Sequence, residues 1–133
     1  MKAAFGTVGD IKKRGLFVGE NSSAFDVAME LLHSSETGMP VLDRKGRVIG
    51  IVSEADLLRA ARGPRRLEEV RVKEIMAHPP IVIEKETSLS DASRIMEDAQ
   101  VHRLPVVEEG IFVGTVTRHD LLRAWLGIGV DMM

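Results

Sequence analysis

HRLPVVEEGIFVGTVTRHDLLRA, His102–Ala124, decides the fold, because the chain carries nearly the same stretch earlier as GMPVLDRKGRVIGIVSEADLLRA, Gly38–Ala60. Both read apolar-Pro-Val, a turn, an apolar run through glycine, then Ser/Thr-x-x-Asp-Leu-Leu-Arg-Ala. The repeat extends upstream at one constant offset: Val8 falls on Val72, Ile11 on Ile75, Val18 on Val82 and Ala28 on Ala92. One residue is gained before Leu104 and lost before Gly110, so Pro40 meets Pro105. The offset then returns, with Gly50 on Gly114 and Asp56 on Asp120. One supersecondary unit is used twice, and two such units can bury their faces against each other.

Each copy reads β-α-β-β-α. In the second, VKEIMAHPP gives a short opening turn that stops at Pro79-Pro80, and IVIE (81–84) is a β-branched strand. Leu89, Ala92, Ile95, Met96 and Ala99 then recur at helical spacing behind a Ser88-x-x-Asp91 capping box. LPVV and IFVGTVT are strands around the EEG turn, and a last amphipathic helix ends at Gly127. In the first copy, LFV is the strand, and Phe25, Ala28, Leu31 and Leu32 form the apolar helix face. MPVL and RVIGIVS are the next strands, and EADLLRAAR is closed by Gly63-Pro64.

Bulk properties narrow the function. The 133 residues are 44% apolar and 29% charged, an ordinary globular balance with enough chain for a real core. A formal charge of -2 gives no global field to draw in nucleic acid or an anionic membrane. The absence of cysteine removes disulfides, thiolate catalysis and cysteine zinc sites. No apolar run reaches the roughly 18 residues of a membrane helix, and the opening MKAAFGTVGDIKKRG has no continuous apolar stretch like a signal peptide, so a cytoplasmic location is expected. The four histidines have no zinc-motif spacing, and no P-loop, G-x-G-x-x-G or G-x-S-x-G is present. No nucleophile is combined with a base, so the chain is not expected to be an enzyme, and no metal is expected. The run RAARGPRRLEEVRVK reads as a solvated linker rather than a nucleic-acid patch: two glutamates interrupt it and stacking aromatics are scarce. Glu68-Glu69 and Glu108-Glu109 fall in linker and turn, where they are solvated.

Ser53-x-x-Asp56 and Thr117-x-x-Asp120 each sit where a strand enters a helix. Four amide N–H groups lack partners there, and the dipole favours an anion. The same spacing is a plain capping box, so a ligand role and a capping role both stand. Gly50 and Gly114, inside β-branched strands, suit close approach of a ligand or of another backbone.

The paired motifs resemble a tandem pair of cystathionine β-synthase (CBS) domains, a Bateman module. The residues that carry the likeness are Leu104-Pro105-Val106-Val107, Val113-Gly114-Thr115-Val116-Thr117 and Asp120-Leu121-Leu122. Their counterparts are Met39-Pro40-Val41-Leu42, Ile49-Gly50-Ile51-Val52-Ser53 and Asp56-Leu57-Leu58, and Val72-Lys73-Glu74-Ile75-Met76 matches the family's usual opening. The first copy departs at its opening: Lys12 stands where the second has Met76, and Gly15-Leu16 replace Pro79-Pro80.

The resemblance implies an α/β (α+β) fold of two β-α-β-β-α repeats packed with pseudo-two-fold symmetry into one module, 1–133: repeat 1 over 8–62, a linker over 63–71 and repeat 2 over 72–126. It implies a regulatory module that binds an adenine nucleotide (AMP, ADP or ATP) in the cleft between the repeats and controls an effector protein in trans, with no cofactor. The rival readings are S-adenosylmethionine or nucleic acid as ligand, and a dimerisation scaffold with empty pockets. By the resemblance, Thr117 with Asp120, and Ser53 with Asp56, hold sugar and phosphate. A carboxylate is acceptor-only and takes both protons of a ribose diol. Pro80, Ile81 and Val82, and Leu16, Phe17 and Val18, would receive the base, although as β-formers they also read as core. Local charge ranks the sites: Arg118, His119, His102 and Arg103 surround the second, whereas Glu54, Ala55 and Gly38 occupy those places in the first. A homodimer meeting through helices in a flat disc is also implied, with Leu57, Leu58, Leu121, Leu122 and Trp125 in or behind that surface.

Overall fold

The structure, a computed structural model, describes residues 6–127. The opening MKAAF, part of the stretch read above for a leader, lies outside them. The elements run α1 Val8–Ile11, β1 Val18–Gly19, α2 Ala24–Ser34, β2 Gly38–Leu42, β3 Val48–Ser53 and α3 Glu54–Ala61, then 3-10 turns at Leu67–Glu69 and Val72–Glu74. β4 Ile83–Glu84, α4 Leu89–Ala99, β5 Arg103–Glu108, β6 Ile111–Thr117 and α5 Arg118–Leu126 follow. This is the mixed α/β architecture the repeat predicts. Two three-stranded sheets form, β1-β2-β3 and β4-β5-β6, each with its first pair parallel and its second antiparallel. The first strand of each copy is shorter than LFV and IVIE suggest, with two paired residues apiece.

The compact units cut across the order of the repeats. Among the described residues, 6–15 join 81–127 in one unit, and Leu16–Pro80 form the other. The opening segment of each copy therefore belongs to the unit built on the other copy. In the first unit, Val8 N and Gly9 N donate to Thr87 O and Lys85 O, and Lys13 exchanges two backbone hydrogen bonds with Thr115 of β6, at 2.9 and 2.8 Å. In the second, Val72 N donates to Ser22 O, and Ala77 exchanges two with Ile51 of β3, at 3.0 and 2.8 Å. The cores follow this exchange. Val8 is fully buried with Ile83, Leu89, Met96, Leu104, Val106, Val116 and Leu121. Val72 is fully buried with Val27, Leu31, Met39, Val41, Val52 and Leu57. The segment read as a linker contributes here too: Val70 is in the second unit's core and Leu67 packs on it.

The pairing also corrects the repeat's alignment. Val18 pairs with Val41 and Ile83 with Val106, so Val18 corresponds to Ile83 rather than Val82. Lys13 and Ala77 still correspond, through their bridges to Thr115 and Ile51. The extra residue of the second copy therefore lies between Ala77 and Ile83, across the His78-Pro79-Pro80 stretch, whose His78–Pro79 peptide is cis. This moves the helix faces by one position. α2 is capped by Ser23 and α4 by Ser88, and Ala24, Val27 and Leu31 are buried as Leu89, Ala92 and Met96 are. Phe25 and Leu32, read above as part of the apolar helix face, are 41% and 74% exposed.

Only half of the expected capping box forms at α4. Ser88 Oγ accepts from Asp91 N at 3.0 Å, but the Asp91 carboxylate pairs with Arg94 instead, at 2.7 Å. The turn of the first hairpin is held by Asp43, which accepts from Lys45 N and Arg47 N at 2.8 and 3.0 Å. The backbone bond from Arg47, above all, holds this carboxyl below its ordinary value.

Candidate functional site

Within the first unit, one end of the sheet gathers the residues singled out by sequence. β4 and β5 start at that end and β6 finishes there, because β4 is parallel and β6 antiparallel to β5. Ile81 and Val82 lead into β4, His102 precedes β5, Arg103 pairs with Thr117, and α5 begins at Arg118. Arg118 N donates to His102 O at 2.9 Å, tying the start of β5 to the start of α5. Ile81 and Val82 are exposed apolar side chains, so these two are not core. In the second unit, Leu16 and Phe17 lead into β1, Gly38 opens β2 and Ser53 ends β3 at the corresponding end. Phe17 is 55% exposed, while Leu16 and Val18 pack against their core. Under the corrected alignment Leu16, Phe17 and Val18 correspond to Ile81, Val82 and Ile83. Pro80 falls one place earlier, half-buried at the end of the second unit.

Both Ser/Thr-x-x-Asp elements are complete capping boxes. Thr117 Oγ1 accepts from Asp120 N at 3.0 Å, and Asp120 Oδ2 accepts from Thr117 N at 2.9 Å. Ser53 Oγ accepts from Asp56 N at 3.2 Å, and Asp56 Oδ2 accepts from Ser53 N at 2.9 Å. Each carboxylate thus spends one oxygen on its helix start. The other oxygens differ in their surroundings. Asp56 Oδ1 accepts from Arg59 Nη1 on its own helix, at 3.1 Å. Asp120, one of the few buried charged residues, turns Oδ1 toward Lys13 Nζ at 3.6 Å.

The glycines serve the exchanged segments. A Cβ on Gly114 would strike Lys13 O and come within 2.9 Å of Lys12 Cδ. One on Gly50 would strike Met76 Sδ and lie 3.0 Å from Ala77 O. Of the two roles open to them, the neighbour seen here is another stretch of chain. Beside this contact, Thr115 Oγ1 is buried against Gly15 with no hydrogen-bond partner among the described residues.

The cations expected around Asp120 divide. His102 and Arg118, with Ser93, Met96, Glu97 and Gln100, line a groove of about 570 Å³ beside α4, and neither Thr117 nor Asp120 is part of its lining. His119 is exposed on the first turn of α5 and Arg103 is half-buried in β5. Lys13 is the cation that faces the carboxylate, and sequence reading missed it. The one available signal was the basic Lys12-Lys13-Arg14 run at the very place where the first opening departs from the second.

Three of the six cations in the run RAARGPRRLEEVRVK pair with carboxylates of the same unit. Arg65 pairs with Glu74 at 2.7 Å, Arg59 with Asp56 and Arg66 with Glu68. Glu108 pairs with Lys85 at 2.7 Å, which holds that ammonium above its ordinary value. No cluster of three or more potential metal ligands is present among the described residues. No helix among them is long and apolar enough to cross a membrane.

The CBS domain model matches residues 8–63 and 72–127. CBSX1, a chloroplastic CBS domain-containing protein of Arabidopsis thaliana, is 33% identical over 92% of the chain, which spans 65% of that relative's length. The crystal structure of CBSX2 in complex with AMP superposes with a TM-score of 0.80 at 30% identity, covering 92% of this chain and 98% of that one. The cytosolic domain of the Mg2+ channel MgtE, solved in complex with ATP, gives a TM-score of 0.75 at 30% identity, covering 88% of this chain and 48% of that one. Two matched domains, two sheets of the same topology and two Ser/Thr-x-x-Asp helix starts lead to one conclusion: the chain belongs to the CBS domain family and carries two such domains in tandem.

Proposed function

We propose that this CBS pair is a ligand-sensing regulatory module that binds an adenine nucleotide (AMP, ADP or ATP) and controls an effector protein in trans, without catalysing a reaction of its own. The observation that carries the reading is the convergence at one sheet end of the first unit: a buried carboxylate whose Oδ1 faces the exposed Lys13 ammonium, a helix N-terminus, and the exposed apolar pair Ile81 and Val82. Asp120 Oδ1 would accept the ribose hydroxyls, the amides of α5 with Arg118 and His119 would face phosphate, and the base would lie on Ile81 and Val82. The cations His102 and Arg103 border that region, and Pro80 precedes Ile81 in the chain. Ser53, Asp56, Leu16, Phe17 and Val18 form the second unit's equivalent, with Glu54 beside the helix start disfavouring an anion. The relatives solved with AMP and with ATP support the ligand class. We further propose a homodimer meeting through helices. Leu57 and Leu121 are consumed by their own cores, while Leu58, Leu122 and Trp125 remain exposed for contact.

The scaffold reading has one observation in its favour, the two completed capping boxes, which give both aspartates a task without a ligand. Thermal melting separates the readings. A nucleotide that binds only the native state at about 100 times Kd adds roughly 2.7 kcal/mol, a shift on the order of 10 °C for a chain of this size. Shifts by AMP, ADP or ATP exceeding those by guanosine and cytidine nucleotides support the sensor. Equal and negligible shifts for all of these and for S-adenosylmethionine leave the scaffold. Sedimentation at tens of micromolar tests the dimer, which a purely monomeric boundary refutes.

A further inference from the structure

Lys13 reaches Asp120 from the opposite end of the sequence. Its backbone is fixed: two hydrogen bonds of 2.9 and 2.8 Å seat it along β6 at Thr115, in the place that Gly114 keeps clear of a side chain. Its side chain is loose. It is 67% exposed, and Nζ stands 3.6 Å from Asp120 Oδ1, beyond hydrogen-bond distance, whereas the Asp120 side chain is 6% exposed. Asp120 Oδ2 is already committed to Thr117 N. A ribose diol arriving at Asp120 therefore meets, at the oxygen not bonded to Thr117 N, the ammonium of Lys13.

We propose that Lys13 is a specificity-determining residue of this site, a tethered cation that yields Asp120 Oδ1 to the ribose and turns to the phosphate, so that phosphorylated adenosine ligands are favoured over adenosine itself. The inference rests on the nucleotide reading above. Adenosine displaces the ammonium from Asp120 and offers it nothing in return. A nucleotide offers the same ammonium a phosphate, and a charge-assisted contact replaces the one given up. In the second unit the cation on the carboxylate comes from the helix itself. Ala77 occupies the position of Lys13, bridging Ile51 as Lys13 bridges Thr115, and Asp56 Oδ1 is held by Arg59 of its own helix. The two sites thus differ in the origin of that cation: the opening segment supplies it at Asp120, the helix at Asp56.

Calorimetric titration of the full chain with adenosine, AMP and ATP, in wild type, Lys13→Ala and Lys13→Arg, tests this. For Lys13→Ala we expect AMP and ATP to weaken about 3- to 10-fold at one of two sites, ATP at least as much as AMP, with adenosine unchanged or tighter. Lys13→Arg should restore the wild-type order, and raised salt should narrow the gap between ATP and adenosine more in wild type than in Lys13→Ala, where Arg118 and His119 still face the phosphate. Equal weakening of adenosine and ATP would make Lys13 a prop for the segment and overturn the proposal, as would nucleotide affinities that do not move at all. Those outcomes leave the nucleotide reading intact. Failure of the wild-type chain to bind any of the three removes that reading and this one together.

Discussion

Asp120 caps α5 and is proposed to accept ribose hydroxyls, and substitution at this one position separates the two roles. Asp120→Ala removes the Oδ2 acceptor of Thr117 N, and with it the reciprocal box that starts α5. Losing a helix cap costs about 1 kcal/mol, and leaving a partly buried N–H unmatched raises that to roughly 2. For a chain of this size the melting point should fall on the order of 5 °C. Asp120→Asn differs. The amide oxygen can still accept from Thr117 N, so the box survives and the melting point should stay within about 2 °C of wild type. What Asn removes is the charge at Oδ1, replacing an acceptor with an N–H donor. If ribose hydroxyls bind there, the loss is that of a hydrogen bond to a charged group, roughly 1.5–3 kcal/mol, or about 10- to 150-fold in affinity. Its ion pair with the exposed Lys13 contributes little to stability by comparison. Calorimetry with AMP and ATP on Asp120→Asn, with folding checked by circular dichroism, reads the affinity term alone. Wild-type affinity in this variant would make Asp120 a cap and nothing more. Loss of all nucleotide binding in Asp56→Asn, with Asp120→Asn unaffected, would place the site in the other unit and refute the charge argument that ranks them.

Two further outcomes test the architecture. Val8→Ala removes two methyl groups from a fully buried side chain and should cost about 2 kcal/mol, raising amide hydrogen exchange in α4, β5 and β6 while sparing α2, β2 and β3; the opposite pattern would refute the exchange of opening segments. Asp43, whose ordinary value is 3.8, is held lower in the folded chain mainly by the bond from Arg47 N, so its contribution is present above that value and lost as pH falls through the folded one. The difference in melting temperature between wild type and Asp43→Ala should accordingly be constant near neutrality and shrink below about pH 3.8; a difference independent of pH down to 2 would show that the carboxylate's charge is not what holds the turn.

The parts of this fold legible in the sequence are those set by neighbours along the chain. Thr117-x-x-Asp120 and Ser53-x-x-Asp56 mark helix starts because donor and acceptor lie three residues apart, and Gly127 ends α5 in the left-handed conformation that glycine adopts without strain. The face of α4 was legible for the same reason, since Leu89, Ala92 and Met96 follow the helical period and are buried. The face of α2 was legible only in part: Leu31 is buried and Ala28 packs on the core, as expected. Phe25 and Leu32 are the large apolar residues, yet Ala24 and Val27 point inward. The reason lies upstream, where the one-residue difference between Arg14-Gly15 and His78-Pro79-Pro80 sets the helix register, and an offset taken from identities such as Ala28 on Ala92 hides it.

Site residues followed the same division. Each aspartate was found from its own helix, but its surroundings depend on which opening segment lies along the strand before it. That choice rests on non-local bridges between Lys13 and Thr115 and between Ala77 and Ile51, which leave no periodic trace in the sequence. The glycines carry the available trace. Gly50 and Gly114 interrupt β-branched strands because a neighbouring stretch of chain occupies the volume a Cβ would need, and the sequence cannot say which stretch. Once the exchange is in place, the departure of the first opening from the family pattern acquires a chemical meaning. Lys12 and Lys13 replace Met76 and Ala77, so the unit holding Asp120 receives cations where the unit holding Asp56 receives a thioether and a methyl. Two nearly identical motifs are thereby made unequal by residues that neither motif contains.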